Sequence, residues 1–351
     1  MNGHSGPSNG VVGTVDGRQN DHYAASHTDS SSNSGGVPVA NGYPTTPSVF
    51  HLHNEAIVNH LYHAGFQTGN YADTVQHVHG NAYRLHAIIL SRSPFLAHLM
   101  STSPQTGGQR TIYVQLEQEP EVTPDGLAIA LGFLYSPESL NVVRPENARG
   151  VLAASCLLGG MDYLSEYAYD MCRQSITLET IGSWLEFVDS MSASSSDGSS
   201  TPITPIEPHR LAVSKTSVFG PYAERLRNDV FNFLVVTLPN MLNVGGMASP
   251  MTPQGDSQVQ DAGRDTLLQV FARVPFDLFK TAVESPSFRI GSDQARFKFA
   301  KDAIELRKRD VARGQGAEET VVLAFGSSSP SGSSVLVTRK LRKRPLWKVN
   351  S

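Results

Sequence analysis

At 351 residues the chain is long enough for two ordinary domains, and its 39% hydrophobic content supports folded cores while leaving room for extensive unstructured sequence. A formal net charge of -4 and a pI near 6.3 exclude a surface dedicated to nucleic acid, because phosphate binding draws on concentrated basic charge, so direct nucleic-acid binding is not expected. The two cysteines, Cys156 and Cys172, sit in helix-like apolar patterns and exclude a disulfide framework, and neither a signal-like leader nor a membrane-length apolar run is present; a soluble intracellular protein without membrane association is expected.

Residues 1–47 are dominated by Gly, Ser, Asn, Asp and Thr, whose ordering would cost backbone entropy without matching burial, and they read as a disordered arm. The alternation over 73–79 is weak, with Gln76 and His77 where apolar residues belong, but Gly80-Asn81 can turn that segment into a partner strand over 82–85. Residues 112–116 alternate like a half-buried strand. Thr123-Pro124-Asp125 is a cap followed by proline at the first turn, and Leu127, Ala130, Leu131 and Leu134 then form a helical stripe that ends before Pro137. A helix is predicted over 145–158, opened by Pro145 and stopped by Gly159-Gly160, and another over 161–175, with Leu164, Ala168, Met171 and Cys172 on one side.

In this order, Asp73, Gly80, Tyr83 and His86, then Leu90, Ser93-Pro94-Phe95 and Met100, resemble a BTB/POZ domain of the kind found in fungal proteins. The strand over 112–116, Phe133-Leu134-Tyr135, Ala153-Ala154, Leu157 and Cys172 continue the same pattern, so residues 48–176 are identified with that domain. The resemblance implies an α+β fold, a helical cluster flanked by a small sheet, commonly dimerised through its first helix. In this chain that helix falls at 54–63, with Ile57, Val58 and Leu61 as the expected dimer contacts.

Helical spacing continues after Ile176: Ile181, Trp184, Leu185 and Val188 over 177–190, Leu226, Val230, Phe233 and Leu234 over 222–238, and Leu267, Val270, Phe271 and Phe279 over 266–283. This resembles the BACK-type extension that follows many BTB domains, and it is assigned to 177–310. Loops rich in Ser, Gly and Pro interrupt it at 192–217 and 244–263, and Pro239 and Pro275 limit or kink its helices. A helix over 293–309 and strand-like runs over 320–325 and 334–340 follow; residues 311–351 form a strand-like segment with a possible hairpin and a basic cluster.

Three features invite sharper readings. Histidines crowd the opening of the BTB-like region, with His60 and His63 one helical turn apart and His77 and His79 on one expected strand face, so a His-rich metal-binding protein is the least favoured alternative; no metal ligand set is assigned. Arg339, Lys340, Arg342, Lys343 and Arg344 form a local basic cluster that reads either as a nuclear import signal or as a solvated edge strand. Thr46, Thr201, Thr204, Ser249 and Thr252 each precede proline in the predicted loops, where phosphorylation or plain turn composition both fit. No phosphate loop, Gly-x-Ser-x-Gly elbow, His-Glu-x-x-His or kinase signature occurs, so no enzymatic activity, cofactor or small-molecule substrate is expected.

The resemblance implies a protein-protein interaction adaptor that homodimerises, in many members bridging a substrate to a cullin-based ubiquitin ligase. Leu99, Met100, Phe133 and Tyr135 are the partner-interface candidates, with the core as their alternative place. The expected cullin signature is a large apolar residue followed two positions later by Glu; here Met100 is followed by Ser101-Thr102-Ser103. The alternative is a nuclear regulator or scaffold without a ubiquitin role, so the expected location is nucleus, cytoplasm or both.

Overall fold

The structure, a computed structural model, describes residues 48–103, 105–193, 217–244, 257–312, 318–325 and 335–342. Ser48–Ser351 make up one compact unit, and all that follows concerns it. The arm over 1–47, most of both predicted loops and the five candidate phosphorylation sites Thr46, Thr201, Thr204, Ser249 and Thr252 lie outside the described residues.

A four-stranded sheet in the order β2-β1-β4-β3 flanks the first helical cluster. Strands β1 (Thr74–Val78) and β2 (Asn81–Leu85) pair antiparallel with Val78 opposite Asn81. The reversal is therefore the pair His79-Gly80, one residue earlier than Gly80-Asn81, and both central residues have positive φ (49° and 76°). That geometry matches the right-handed twist of the flanking strands, and glycine takes the second position without strain. Strand β4 (Gln109–Tyr113) runs parallel to β1, with Thr74 opposite Arg110, and the two-residue β3 (Gln105–Thr106) pairs with it through the Gly107-Gly108 hairpin. This hairpin moves the strand three residues ahead of the predicted 112–116, although Val114 and Leu116 are still buried. Gln76, where the alternation calls for an apolar side chain, is fully buried, and neither end of its amide meets a hydrogen-bonding partner among the described residues.

Helix α1 (Val49–His60) continues without interruption into a wider, π-helical stretch, Leu61–Gln67. After β2 come the short α2 (Ala87–Leu90) and α3 (Pro94–Thr102), and after β4 come α4 (Pro124–Tyr135), α5 (Ala148–Leu158) and α6 (Asp162–Gln174). The cap read at Thr123 forms: its hydroxyl accepts the Gly126 N–H at 3.1 Å. Pro145 does not open α5. The Asn147 side chain reaches back to accept the Arg144 N–H at 2.7 Å, which closes a turn over 144–147 and delays the helix to Ala148. Gly159 and Gly160, with φ of 68° and 70°, end it as predicted.

In the extension, α7 (Ile181–Ala193) starts four residues later than predicted because Thr180 is occupied in a turn, accepting the Thr177 N–H and donating to the Ser175 carbonyl. Helix α8 (Pro221–Asn232) passes through a π-helical turn, Phe233–Thr237, into α9 (Leu238–Met241). Pro239 thus lies inside the helical run, where the widened turn just before it absorbs the missing N–H. Pro275 does separate two helices, α10 (Ser257–Arg273) and α11 (Phe276–Glu284). Residues 257–263 were expected as loop and are helix; Gly263 is seated so closely that a Cβ there would lie 2.4 Å from the Leu242 carbonyl oxygen. Helix α12 (Asp293–Ala312) and the antiparallel pair β5 (Glu318–Phe325) and β6 (Val335–Arg342) complete the described chain.

The extension is tied to the first helical cluster through α6 and α8. Arg225 makes a two-pronged contact with Glu166 (2.8 and 3.1 Å) while its guanidinium lies 3.9 Å from the Tyr169 ring centre, and the Tyr169 hydroxyl donates to Asp229 at 2.6 Å. The hydrogen bond from Arg225 holds the Glu166 carboxyl below its ordinary value. Because this clamp is solvent-exposed, it orients the two parts more than it stabilises them. Both cysteines behave as small apolar groups: burial pushes the Cys156 thiol up to about 11 and that of Cys172 to about 12, so neither is a thiolate at neutral pH.

Candidate protein-interaction surfaces

Three of the residues that carry the family pattern, Asp73, His86 and Tyr135, converge on one polar junction at the start of α2. Asp73, just ahead of β1, accepts the Ala87 N–H at 2.7 Å and the Thr74 hydroxyl at 3.0 Å, so it caps a helix that begins fourteen residues later. His86 precedes that helix, and its Nε2 lies 2.8 Å from the Asn70 carbonyl oxygen, which can only accept. Nε2 therefore carries the proton, and Nδ1, 3.0 Å from the Tyr135 hydroxyl, accepts from it. The same hydroxyl accepts the His86 backbone N–H at 2.9 Å. Burial pushes the Tyr135 phenol up, so it stays protonated and keeps donating. Tyr135→Phe leaves the His86 N–H and Nδ1 without partners; a loss of about 2 kcal/mol is expected, measured by denaturant unfolding.

Ser93 and Pro94 start α3 as their types dictate. The Ser93 hydroxyl accepts the Leu96 N–H at 3.2 Å and donates to the Leu158 carbonyl at 2.5 Å, which ties α3 to the end of α5. Phe95 and Tyr83 are half-buried, and Gly80 occupies the hairpin turn.

The four partner-interface candidates divide. Met100 and Tyr135 are buried at 6% and 3% exposure and belong to the core, so neither offers surface to a partner. Leu99 and Phe133 are half-buried and packed against that core. The exposed end of α3 is polar, formed by Ser101 and Thr102.

The expected dimer helix is the least covered element of the described chain. No residue of α1 is buried, and it begins at Val49, five positions before the predicted start. Ile57 is 46% exposed, Val58 is half-buried, and Leu61, in the π-helical stretch, already packs on the core. The added turn contributes residues the sequence reading missed: Val49, Phe50 and Leu52 are 81%, 82% and 51% exposed. Their signal was an apolar trio directly following a polar arm.

The histidines do not assemble. His77 stacks on Tyr113 with ring centres 5.0 Å apart, whereas His79 is in the turn and does not share its strand face. His63 lies 3.1 Å from Gln67 and 3.5 Å from Glu138, and among the described residues no group of three or more His, Cys, Asp or Glu side chains is placed to hold a metal. Of the basic cluster, Arg339, Lys340 and Arg342 are in β6, where the register sets Arg342 opposite Glu318; Lys343 and Arg344 lie outside the described residues. No helix among the described residues is long and apolar enough to cross a membrane.

No family model matches the chain. It is 27% identical over 303 residues to BTB/POZ domain-containing protein 2 of Schizosaccharomyces pombe, covering 84% of this chain and 92% of that protein. It is also 25% identical over 122 residues to human Germ cell-less protein-like 2, covering 35% of this chain and 22% of the human protein. The α+β architecture, the Asp73, His86 and Tyr135 junction at the head of α2, and a likeness that runs through nearly the whole fission yeast protein agree on one conclusion: this chain is similar to BTB/POZ domain proteins along most of its length.

Proposed function

We propose that the chain is an adaptor that pairs with a second copy of itself through α1 and recruits another protein to the pair. The observation that carries this reading is the uncovered apolar surface of α1, where Val49, Phe50, Leu52 and Ile57 all face solvent in the single chain. Apolar side chains concentrated on one helix mark a surface that a partner covers, and a two-fold pair covers the same surface on both copies. Within that reading the ligase-adaptor role is favoured over the nuclear scaffold by family resemblance alone. The polar Ser101 and Thr102, in place of the usual Glu, mean that a cullin contact would draw on Leu99 and the neighbouring helices.

Light scattering of the full chain tests the pairing: at least twice the chain mass is expected, and Phe50→Glu with Ile57→Glu should lower the affinity of the α1 pairing at least tenfold, with the far-ultraviolet circular dichroism unchanged. Titration with the N-terminal region of a BTB-binding cullin tests the recruited partner. Saturable heat supports the ligase adaptor, and none from a folded dimer supports the scaffold.

A further inference from the structure

The C-terminal ribbon has two unlike edges. In an antiparallel pair, alternate residues direct N–H and C=O across to the partner and outward. The Val337 N–H is given to the Glu284 carboxylate at 2.8 Å, so Val337 and its partner Leu323 form an outward-directed pair. By the same alternation Glu319, Val321, Leu323 and Phe325 direct their backbone groups away from β6. Glu284, itself held by Lys280 at 2.6 Å, occupies the β6 edge at Val337; among the described residues no strand pairs with the β5 edge. That open edge reads Glu-Glu-Thr-Val-Val-Leu-Ala-Phe, with charge confined to its first two positions and no proline or bulge to blunt it.

We infer that the open edge of β5 is a second self-association surface, on which β5 of another copy pairs antiparallel to give a four-stranded sheet in the order β6-β5-β5-β6. The sequence of β5 fits itself in this direction. Centred on Val322, the pairing sets Val321 opposite Leu323, Thr320 opposite Ala324, and Val322 opposite its own counterpart. The outward-directed residues 319, 321, 323 and 325 then meet the outward-directed residues of the second strand, as a hydrogen-bonded ladder requires. Parallel self-pairing would instead stack Glu318 and Glu319 on themselves, so charge selects the antiparallel form. Exposed Val322 and Leu336, at 45% and 37%, extend the apolar surface beside the join. This surface is separate from α1. A chain with two distinct two-fold surfaces links copies beyond the dimer.

The test is sedimentation velocity of the full chain over a concentration series, in four forms: native, Val322→Lys, the α1 double variant Phe50→Glu with Ile57→Glu, and all three changes together. Val322→Lys places like charges face to face at the two-fold axis but alters an exposed side chain, so the ribbon itself is retained; Val321→Pro, which removes an N–H directed away from β6, serves as the second edge variant. Native protein should exceed dimer mass at high concentration and Val322→Lys should return it to dimer. The α1 variant should keep a dimer that Val322→Lys weakens at least tenfold. If the α1 variant is monomeric throughout, the β5 pairing is wrong and the α1 reading stands; a dimer that survives all three changes overturns both.

Discussion

Gly126→Ala is expected to be among the most damaging single-methyl additions in the chain, costing about 3 kcal/mol and lowering the apparent melting midpoint by several degrees. Helices α4 and α5 cross at a point where glycine faces glycine. A Cβ on Gly126 would fall 2.3 Å from the Gly150 carbonyl carbon, 2.4 Å from its oxygen and 2.8 Å from the Val151 nitrogen. These are backbone atoms inside a helix buried along most of its length, so relief requires separating two helices of the main core. Alanine gains up to about 1 kcal/mol over glycine from helix propensity, and the clash outweighs it. The companion Gly150→Ala should cost less. Its Cβ meets the Thr123 hydroxyl oxygen at 2.3 Å, and that side chain can turn away at the cost of the cap on Gly126, about 1 kcal/mol. In a Thr123→Ala background the penalty of Gly150→Ala should shrink, and a double-mutant cycle by chemical denaturation reads the difference. Equal costs for Gly126→Ala and Gly150→Ala would show that the crossing gives way as easily at backbone as at side chain, contrary to this account.

Phe271→Ala is expected to cost about 3–5 kcal/mol and to loosen the C-terminal half selectively. Phe271 is fully buried at the centre of an aromatic cluster, stacked on Phe288 with ring centres 5.1 Å apart and edge-on to Phe299 and Phe279 at 5.2 and 6.3 Å. Its loss opens a cavity against α11 and α12 and removes three ring contacts together. Hydrogen exchange should therefore speed up in α10, α11 and α12 while amides of α4 and α5 remain protected. Uniform acceleration across both halves would mean that the first helical cluster and the extension unfold as one cooperative body, and the selective prediction would fail.

How much of this was legible beforehand follows a physical line. Helices α4 and α6, the cap at Thr123, the stop at Gly159-Gly160 and the break at Pro275 are local matters of apolar period, caps and fixed φ, and each was found within a few residues, whereas the helix read over 266–283 is two helices, the first beginning nine residues earlier. The family order of Asp73, His86 and Ser93 was also readable, but what those residues do was not. Asp73 caps a helix fourteen residues away, and Tyr135 reaches His86 across the core. Gly126 and Gly150 each look like a weak helix residue until the two helices are crossed.

Composition and period by themselves determined that the chain has a run of amphipathic helices continuing beyond residue 176, because such patterns record which face of each element must leave water, while the α+β arrangement came from the family resemblance. Tertiary structure alone decided which apolar residues are spent inside and which remain outside. Met100, read as a surface candidate, is enclosed because α3 packs into the core, whereas Val49, Phe50 and Leu52 on α1 stay exposed and no described strand pairs with the outer edge of β5. A sequence marks a residue as apolar, but whether it meets its own chain or another is settled by where the neighbouring elements end.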